Sequence, residues 1–532
     1  MTHITPPSLT TPLTSALTPP PLIQSLLEQD RRFAHPAWQQ NPLFTWQAAQ
    51  FKLFEQYCQH YTAQLSAQPD ATADQRKWAF YLSQITDALS PANYLATNPE
   101  AQQLAIETQG KSLQQGMLNL LHDLQRQKIT QTDETAFAVG VNLAITAGQV
   151  VFENELMQLI QYTPTTPTIH RIPLLIVPPC INKFYILDLQ AHNSFVKYAL
   201  DQGIAVMMVS WRNIQDSHCT FTWEDYIQLG VIDAIHVTQA IAGVPAINTL
   251  GFCIGGTLLS CAAAILNHRA QATTQKTTSP IASLTLLTTL LDFSDTGTLG
   301  VLVDETLVQH REQQMGRAGF LAGKELSQAF NCLRPNDLLW NYVIDLYLKG
   351  QSPRAFDILY WNNDSTNLSG PMYTWYLRQM YLNNRLIQQE NTEVLTLLDG
   401  PIALQSITQP VYALAAREDH IVPWQSAYAS IQHIASTVRF VLAASGHIAG
   451  VINPPPAAGK PPKRSYWSAD CNARETSLDQ WQAHSSEQAG SWWQDWSHWL
   501  KPLSGESMPI PTQWHHPQFQ PIEPAPGRYV QM

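Results

Sequence analysis

The sequence predicts an α/β fold: a largely parallel sheet flanked by helices, interrupted by one long insert and preceded by a smaller helical domain. Three observations predict it. From about residue 146, short apolar segments alternate with helix-length segments, the pattern of βαβ units. That alternation stops between about residues 292 and 400 and resumes afterwards. Upstream of residue 146 the apolar residues recur with the period of a helix instead.

In chain order, residues 1–20 are rich in Thr, Pro, Ser and Leu and lack the aromatic residues needed to bury a core, so a disordered tail is expected. Residues 21–145 read as a helical N-terminal domain. Leu113, Met117, Leu120, Leu121 and Leu124 fall on one helical face, and breaks such as Ser90-Pro91-Ala92-Asn93 and Thr97-Asn98-Pro99-Glu100 separate the helices. Such stripes either pack on one another or offer a surface to a partner. Residues 146–532 read as the sheet domain. Its candidate strands are Leu174–Pro178, Ala205–Ser210, Ile247–Phe252, Ser283–Thr288, Val411–Ala415 and Arg439–Ala443. A helix is expected over Trp223–Ala242, and the small residues of Thr257–Ile265 suit a helix packed closely on a sheet. The stretch at about 292–400 is aromatic and polar, and an insert of that length reads as a lid or cap. Trp492, Trp493, Trp496 and Trp499 are expected to pack against the domain rather than bind a ligand.

Bulk properties narrow the function. The net charge is −11, without a Lys/Arg-rich run, which argues against a nucleic-acid partner because phosphates demand a basic face. The seven cysteines are dispersed and form no C-x-x-C pair, so neither a zinc ribbon nor a thioredoxin-like site is expected, and no metal is assigned. Scattered, odd-numbered thiols fit a reducing compartment. No signal-peptide pattern and no run of about 18 apolar residues occurs, so a cytoplasmic protein without a transmembrane helix is expected.

The chemistry centres on Gly251-Phe252-Cys253-Ile254-Gly255-Gly256. G-x-C-x-G is a nucleophile elbow with Cys in place of Ser, set between a candidate strand and a candidate helix, which makes the fold α/β-hydrolase-type. Such a site takes its acid and then its histidine from later in the chain. Asp419 follows the strand Val411–Ala415, and His447 follows Arg439–Ala443, 28 residues on. Both stand at strand C-termini, where open α/β sheets carry their sites. Glu418 and His420 are neighbouring alternatives, and His420 is kept as a secondary residue that could face substrate. In this arrangement His447 draws the proton from Cys253 and Asp419 fixes the imidazole tautomer. The oxyanion is expected to take the backbone N–H of Ile254 and a second from Cys180 or Ile181, because Pro178 and Pro179 have none to donate. A thiolate exchanging one thioester for another keeps the acyl group activated for a hydroxyl, which points to acyl transfer from thioesters. Cysteine-dependent hydrolases on the same fold are the alternative.

Beyond the elbow, ordered motifs run from Pro178-Pro179-Cys180-Ile181-Asn182-Lys183-Phe184-Tyr185-Ile186-Leu187-Asp188 and Val209-Ser210-Trp211-Arg212-Asn213, through Leu333-Arg334-Pro335-Asn336-Asp337, to Arg417-Glu418-Asp419-His420-Ile421-Val422-Pro423-Trp424 and Ser445-Gly446-His447-Ile448-Ala449-Gly450. With these the chain resembles the class I polyhydroxyalkanoate synthases from about residue 80 onward, and only loosely over its first 70 or so residues. The resemblance implies polymerisation of (R)-3-hydroxyacyl-CoA, chiefly 3-hydroxybutyryl-CoA, into a polyester with release of CoA. In that reading Cys253 carries the growing chain, His447 activates it, and Asp419 also helps activate the incoming 3-hydroxyl. No cofactor is implied beyond the CoA that leaves with the substrate. A homodimer formed through the cap, a place on the polyester granule surface, and granule-associated partners of the N-terminal domain are implied as well. Arg334 is a candidate partner for CoA phosphates, with a structural salt bridge as the alternative.

Overall fold

A computed structural model describes residues 21–67, 72–272, 278–388, 394–511 and 516–532. The expected tail at 1–20 lies outside these residues. The chain divides into two units. One comprises the residues up to Asp133 together with Phe330–Arg354, and the other comprises Glu134–Ala329 with Ala355–Met532. Residues 330–354, from the middle of the stretch read as a cap, therefore belong to the helical unit.

That unit is all-helical among its described residues. Its longest helices are α1 (Pro42–Ala67), α2 (Ala73–Ala88) and α3 (Lys111–Arg126). Thr72 starts α2 with a full capping box, accepting from the Gln75 N–H while the Gln75 side chain accepts from the Thr72 N–H. Its core gathers Phe33, Trp38, Ala48, Phe51 and Ala92 with Ile344 from the inserted segment. That segment is also tied by hydrogen bonds: Tyr347 Oη–H donates to Asp123 at 2.8 Å and Asn336 Nδ2–H to Asp87 at 2.7 Å. Beside the core, the Arg32 guanidinium reaches Asp30 at 2.7 Å and Glu55 at 2.6 Å, and Lys52 shares both carboxylates.

In the second unit the six candidate strands all form. They are β3 (Leu174–Val177), β4 (Val206–Trp211), β5 (Ile247–Phe252), β6 (Ile281–Leu287), β7 (Val411–Ala416) and β8 (Thr437–Ala443). They pair in parallel in the order β8-β7-β6-β5-β3-β4. Helices cover both faces, so these strands are largely apolar on both sides, and the polar residues among them, such as Asn248 and Thr249, are buried too. The two faces nonetheless separate by parity: Leu175 and Val177 enter one core with Leu258 and Leu259 of α4 (Ile254–Ala272), and Leu174 and Ile176 enter the other with Phe195.

The sheet is wider than the sequence suggests. Among the described residues β1 (Gly148–Glu153), β2 (Met157–Tyr162), β9 (Ser465–Asn472), β10 (Ser486–Ala489) and β11 (Glu523–Pro524) extend it, all antiparallel. Polar residues hide β2 and β9 from an apolar-run reading. Gln158 of β2 is buried, and its amide is satisfied by Glu153 at 2.7 Å. Half of β9 is polar, with Asp470 and Asn472 exposed and Ser468 buried. The described parts of the insert in this unit are mainly helical and add no strand to the main sheet.

The tryptophan run forms α6 (Trp492–Leu500), with α5 (His447–Val451) preceding it in the chain. Trp492, Trp493 and Trp496 are fully buried, and their indole N–H groups donate to Gly450 O, Val451 O and Thr285 Oγ1 at 2.9, 2.9 and 3.0 Å. The run is thus a packing element that also bonds the backbone around α5. Among the described residues no helix is long and apolar enough to cross a membrane. Trp496→Ala is expected to destabilise this unit by about 3–5 kcal/mol, from the lost indole and the cavity left behind, which a lowered urea midpoint would register.

Candidate active site

β5 ends at Phe252 and α4 begins at Ile254, so Cys253 alone makes the turn from strand to helix. Its φ of +53° is left-handed, a conformation that costs an L-residue about 1–2 kcal/mol. Hydrogen bonds hold it there: its N–H donates to Leu287 O at 2.9 Å, and its carbonyl accepts from the N–H of Gly256 at 2.8 Å and of Thr257 at 3.3 Å. The flanking glycines are required by proximity. A Cβ on Gly251 would stand 2.4 Å from Gly256 Cα, and one on Gly255 would stand 2.3 Å from Val177 O and 2.6 Å from Pro178 O. The helix therefore starts pressed against the end of β3, leaving Cys253 partly exposed at the turn.

Asp419 follows β7, and His447 is the first residue of α5. One carboxylate oxygen of Asp419 accepts from the N–H groups of Ile421 and Val422 at 2.8 and 2.9 Å. The other faces His447 Nδ1 at 2.6 Å. The Asp419 side chain is wholly shielded from solvent and that of His447 is 6% exposed. The Phe252 ring stacks on the imidazole with centroids 5.7 Å apart. With Nδ1 engaged, Nε2 remains for the thiol, whose influence extends to the ring. Burial by itself opposes an imidazolium, but the adjoining Asp419 and Cys253 outweigh it and push His447 up to about 10.

The strand register brings the second oxyanion candidate alongside. Val177 of β3 pairs with Gly251 of β5, so residues 178–181 run beside the elbow. Trp211 Nε1–H donates to Pro178 O at 2.9 Å and holds that stretch. The Cys180 thiol is buried, and burial, reinforced by the nearby Cys253, pushes it well above the ordinary thiol range. Such a group is inert as a nucleophile. The N–H of Ile254, at the first position of a 19-residue helix, has no acceptor within that helix and sits at the positive end of its dipole. The structure thus gathers Cys253, Asp419, His447, Ile254 and the 180–181 loop.

His420 is half-buried in the Asp419 loop, with its carbonyl oxygen beside Gly297. Arg334 belongs to the helical unit and pairs with Asp337 at 2.8 Å. Sequence reasoning did not single out Tyr376 and Tyr381 as site residues. Burial first, and Cys253 as well, raise both phenols well above their ordinary value. Phe293 packs edge-on to both, at 5.9 and 5.2 Å, and Trp223 stacks on Tyr376 at 5.1 Å. The aromatic density of the insert was visible in the sequence. Which of these rings come together was not, because Leu377–Leu382 winds as a π-helix and brings Tyr381 against Tyr376, with centroids 5.4 Å apart, off the usual period.

The sign of the His447 shift fixes a pH window. A folded-state pKa of about 10 against 6.5 ordinarily contributes stability that is complete below about 6.5 and lost as pH rises through 10. Asp419→Asn removes the main opposing charge, so His447 is expected to titrate far below 10 and the stability lost over this pH window to shrink, as measured by imidazole NMR titration and by urea unfolding across that range.

Comparison with known proteins adds family relationships to this geometry. Residues 29–199 match the family model described as the poly-beta-hydroxybutyrate polymerase (PhaC) N-terminus, and residues 173–454 match that of the alpha/beta hydrolase fold. The chain is 51% identical over 506 residues to poly(3-hydroxyalkanoate) polymerase subunit PhaC of Cupriavidus necator, covering 94% of this chain and 83% of that one. It is 37% identical over 512 residues to the subunit of the same name from Rhizobium meliloti, covering 96% and 80%. To poly(3-hydroxyalkanoate) polymerase 1 of Ectopseudomonas oleovorans it is 36% identical over 503 residues, covering 94% and 86%.

Proposed function

Because the chain belongs to the poly(3-hydroxyalkanoate) polymerase family and is an acyltransferase that polymerises hydroxyalkanoates, we propose that it draws on (R)-3-hydroxyacyl-CoA, 3-hydroxybutyryl-CoA foremost, and carries the acyl chain as a thioester on Cys253. What carries this reading is a cysteine at the elbow of a hydrolase-type sheet with a shielded Asp419–His447 pair beside it.

His447 takes the proton of the Cys253 thiol, and the raised basicity of the ring favours the thiolate–imidazolium pair. The thiolate attacks the carbonyl carbon of the CoA thioester. Negative charge gathers on the carbonyl oxygen, where the N–H of Ile254 and that of Ile181 receive it. Collapse expels the CoA thiolate, to which His447 returns the proton. The 3-hydroxyl of the next substrate, which Asp419 also helps activate, then attacks the Cys253 thioester and loses its proton to His447; the new ester forms as the Cys253 thiolate leaves, and the lengthened acyl-CoA returns to Cys253 by the same thioester exchange. No separate cofactor takes part. Asp419 keeps its charge throughout, supported by the N–H groups of Ile421 and Val422. Phe293, Tyr376 and Tyr381 supply an apolar wall beside the acyl group, and the room they leave sets the tolerated acyl length.

The test is CoA release and polymer yield from 3-hydroxyacyl-CoAs of rising chain length. Polymer with CoA release from the four-carbon substrate is expected, and Cys253→Ala is expected to reduce release by more than about 10³-fold. Soluble 3-hydroxybutyrate as the only acyl product would instead identify a thioesterase.

The protein is further proposed to act as a homodimer at the surface of its polyester granules, with the N-terminal unit as the adsorbing part and a docking place for granule-associated proteins. Met117, Leu118, Leu121 and Leu124 of α3 support this, being 56, 54, 49 and 62% exposed. An apolar side chain taken out of water contributes ~1.5 kcal/mol or more. Replacing Met117, Leu121 and Leu124 by Ser should therefore weaken adsorption to poly(3-hydroxybutyrate) particles about tenfold or more in a sedimentation assay, and unchanged adsorption would remove this face from the reading.

A further inference from the structure

Lys183 stands two residues beyond Ile181 and is a cation only 8% exposed. Its ammonium donates to Val530 O at 2.6 Å and to Met532 O at 2.7 Å, and pairs with Asp364 at 3.3 Å. Its own carbonyl accepts the indole N–H of Trp361 at 2.7 Å. The same stretch of the insert holds the neighbours of Lys183 too. Thr366 N–H donates to Ile181 O at 3.3 Å, Asn182 bridges to Ser365, and Tyr185 Oη–H donates to Asp364 at 2.8 Å. The 529–532 segment is itself anchored: the Arg212 guanidinium lies 4.1 Å from the Tyr529 ring centroid, and Tyr529 Oη–H donates to Asn154 O at 2.8 Å.

A buried ammonium is expensive unless its protons are all satisfied. Here three acceptors from two distant parts of the chain meet it, and each loses its partner if the 181–183 loop shifts. We infer that Lys183 is a positioning residue: it ties the loop that offers the Ile181 N–H to the insert at Asp364 and to the 529–532 segment. The oxyanion side of the site is then complete only when both segments are docked. This rests on the reading of the Ile181 N–H as an oxyanion donor and extends it to what places that donor. The demand on placement is severe, since a displacement of about 1 Å in catalytic geometry can lower a rate about 10²-fold.

The experiment compares two reactions of Cys253 in the full chain. CoA release from 3-hydroxybutyryl-CoA passes through an oxyanion. Alkylation by iodoacetamide is a displacement at a saturated carbon and generates none, so it reports only on the thiolate and its histidine. Lys183→Met keeps the stem and removes the charge. Its kcat for CoA release should fall about 10- to 100-fold, with KM within about threefold and the alkylation rate within about twofold of the parent. Should that variant not fold, Asp364→Asn removes one of the three acceptors' charges and supports the same comparison, with a loss of about 5- to 30-fold expected. An unchanged kcat overturns the inference, and so does a parallel fall in kcat and alkylation, which would mean general damage. A failure of the underlying reading looks different: alkylated parent enzyme would still release CoA.

Discussion

Cys253 can stand above the sheet only because the chain passes from β5 to α4 within a single residue, in a left-handed conformation that an L-residue resists. That turn governs much of the surrounding structure. It requires Gly251 and Gly255, where a Cβ would collide with backbone. It requires β3 as the neighbour of β5, since the closest atoms to Gly255 are the carbonyl oxygens of Val177 and Pro178. The strain is countered locally, by the Cys253 N–H bonded to Leu287 O of β6 and by the first turn of α4. The result is a partly exposed sulfur beside a helix N-terminus, where negative charge is favoured.

The second demand is electrostatic. A fully buried imidazole would ordinarily shed its proton, and only the adjoining carboxylate and thiol reverse that preference. Asp419 can remain a charge in this setting because both its oxygens are used, one by two backbone N–H groups and the other by His447. The loop after β7 thus folds to satisfy a carboxylate before it positions a histidine. A buried carboxylate with a free oxygen would favour its neutral form and lose hold of the ring.

The insert is bonded to its unit at more than one place. Within the second unit, its residues 361–367 bond the loop at 181–185, and Tyr376 and Tyr381 pack against Phe293 and Trp223. The segment 330–354 behaves differently: it packs within the helical unit, with Ile344 in the hydrophobic core of that unit. A stretch that reads in the sequence as a single irregular insertion is divided between two cores.

The sequence by itself located the parallel centre of the sheet and the residues that stand at its C-terminal edge. Apolar runs, period and strand-end placement located all six parallel strands, the elbow at Cys253, and the pair Asp419 and His447, because those signals are local: a strand buried on both faces must be apolar, and the elbow must be glycine-rich. The tertiary structure decided what local signals do not carry. Antiparallel edge strands such as β2 and β9 escape because Gln158 and the polar residues of β9 look like surface until their partners are known. Tyr381 comes against Tyr376, with centroids 5.4 Å apart, through a π-helical winding that no period forecasts. Lys183 reads as a surface cation until Val530, Met532 and Asp364, all more than 150 residues away in the chain, surround it. A residue whose environment is built from distant segments has no signature near its own position, and only the folded chain reveals what it does.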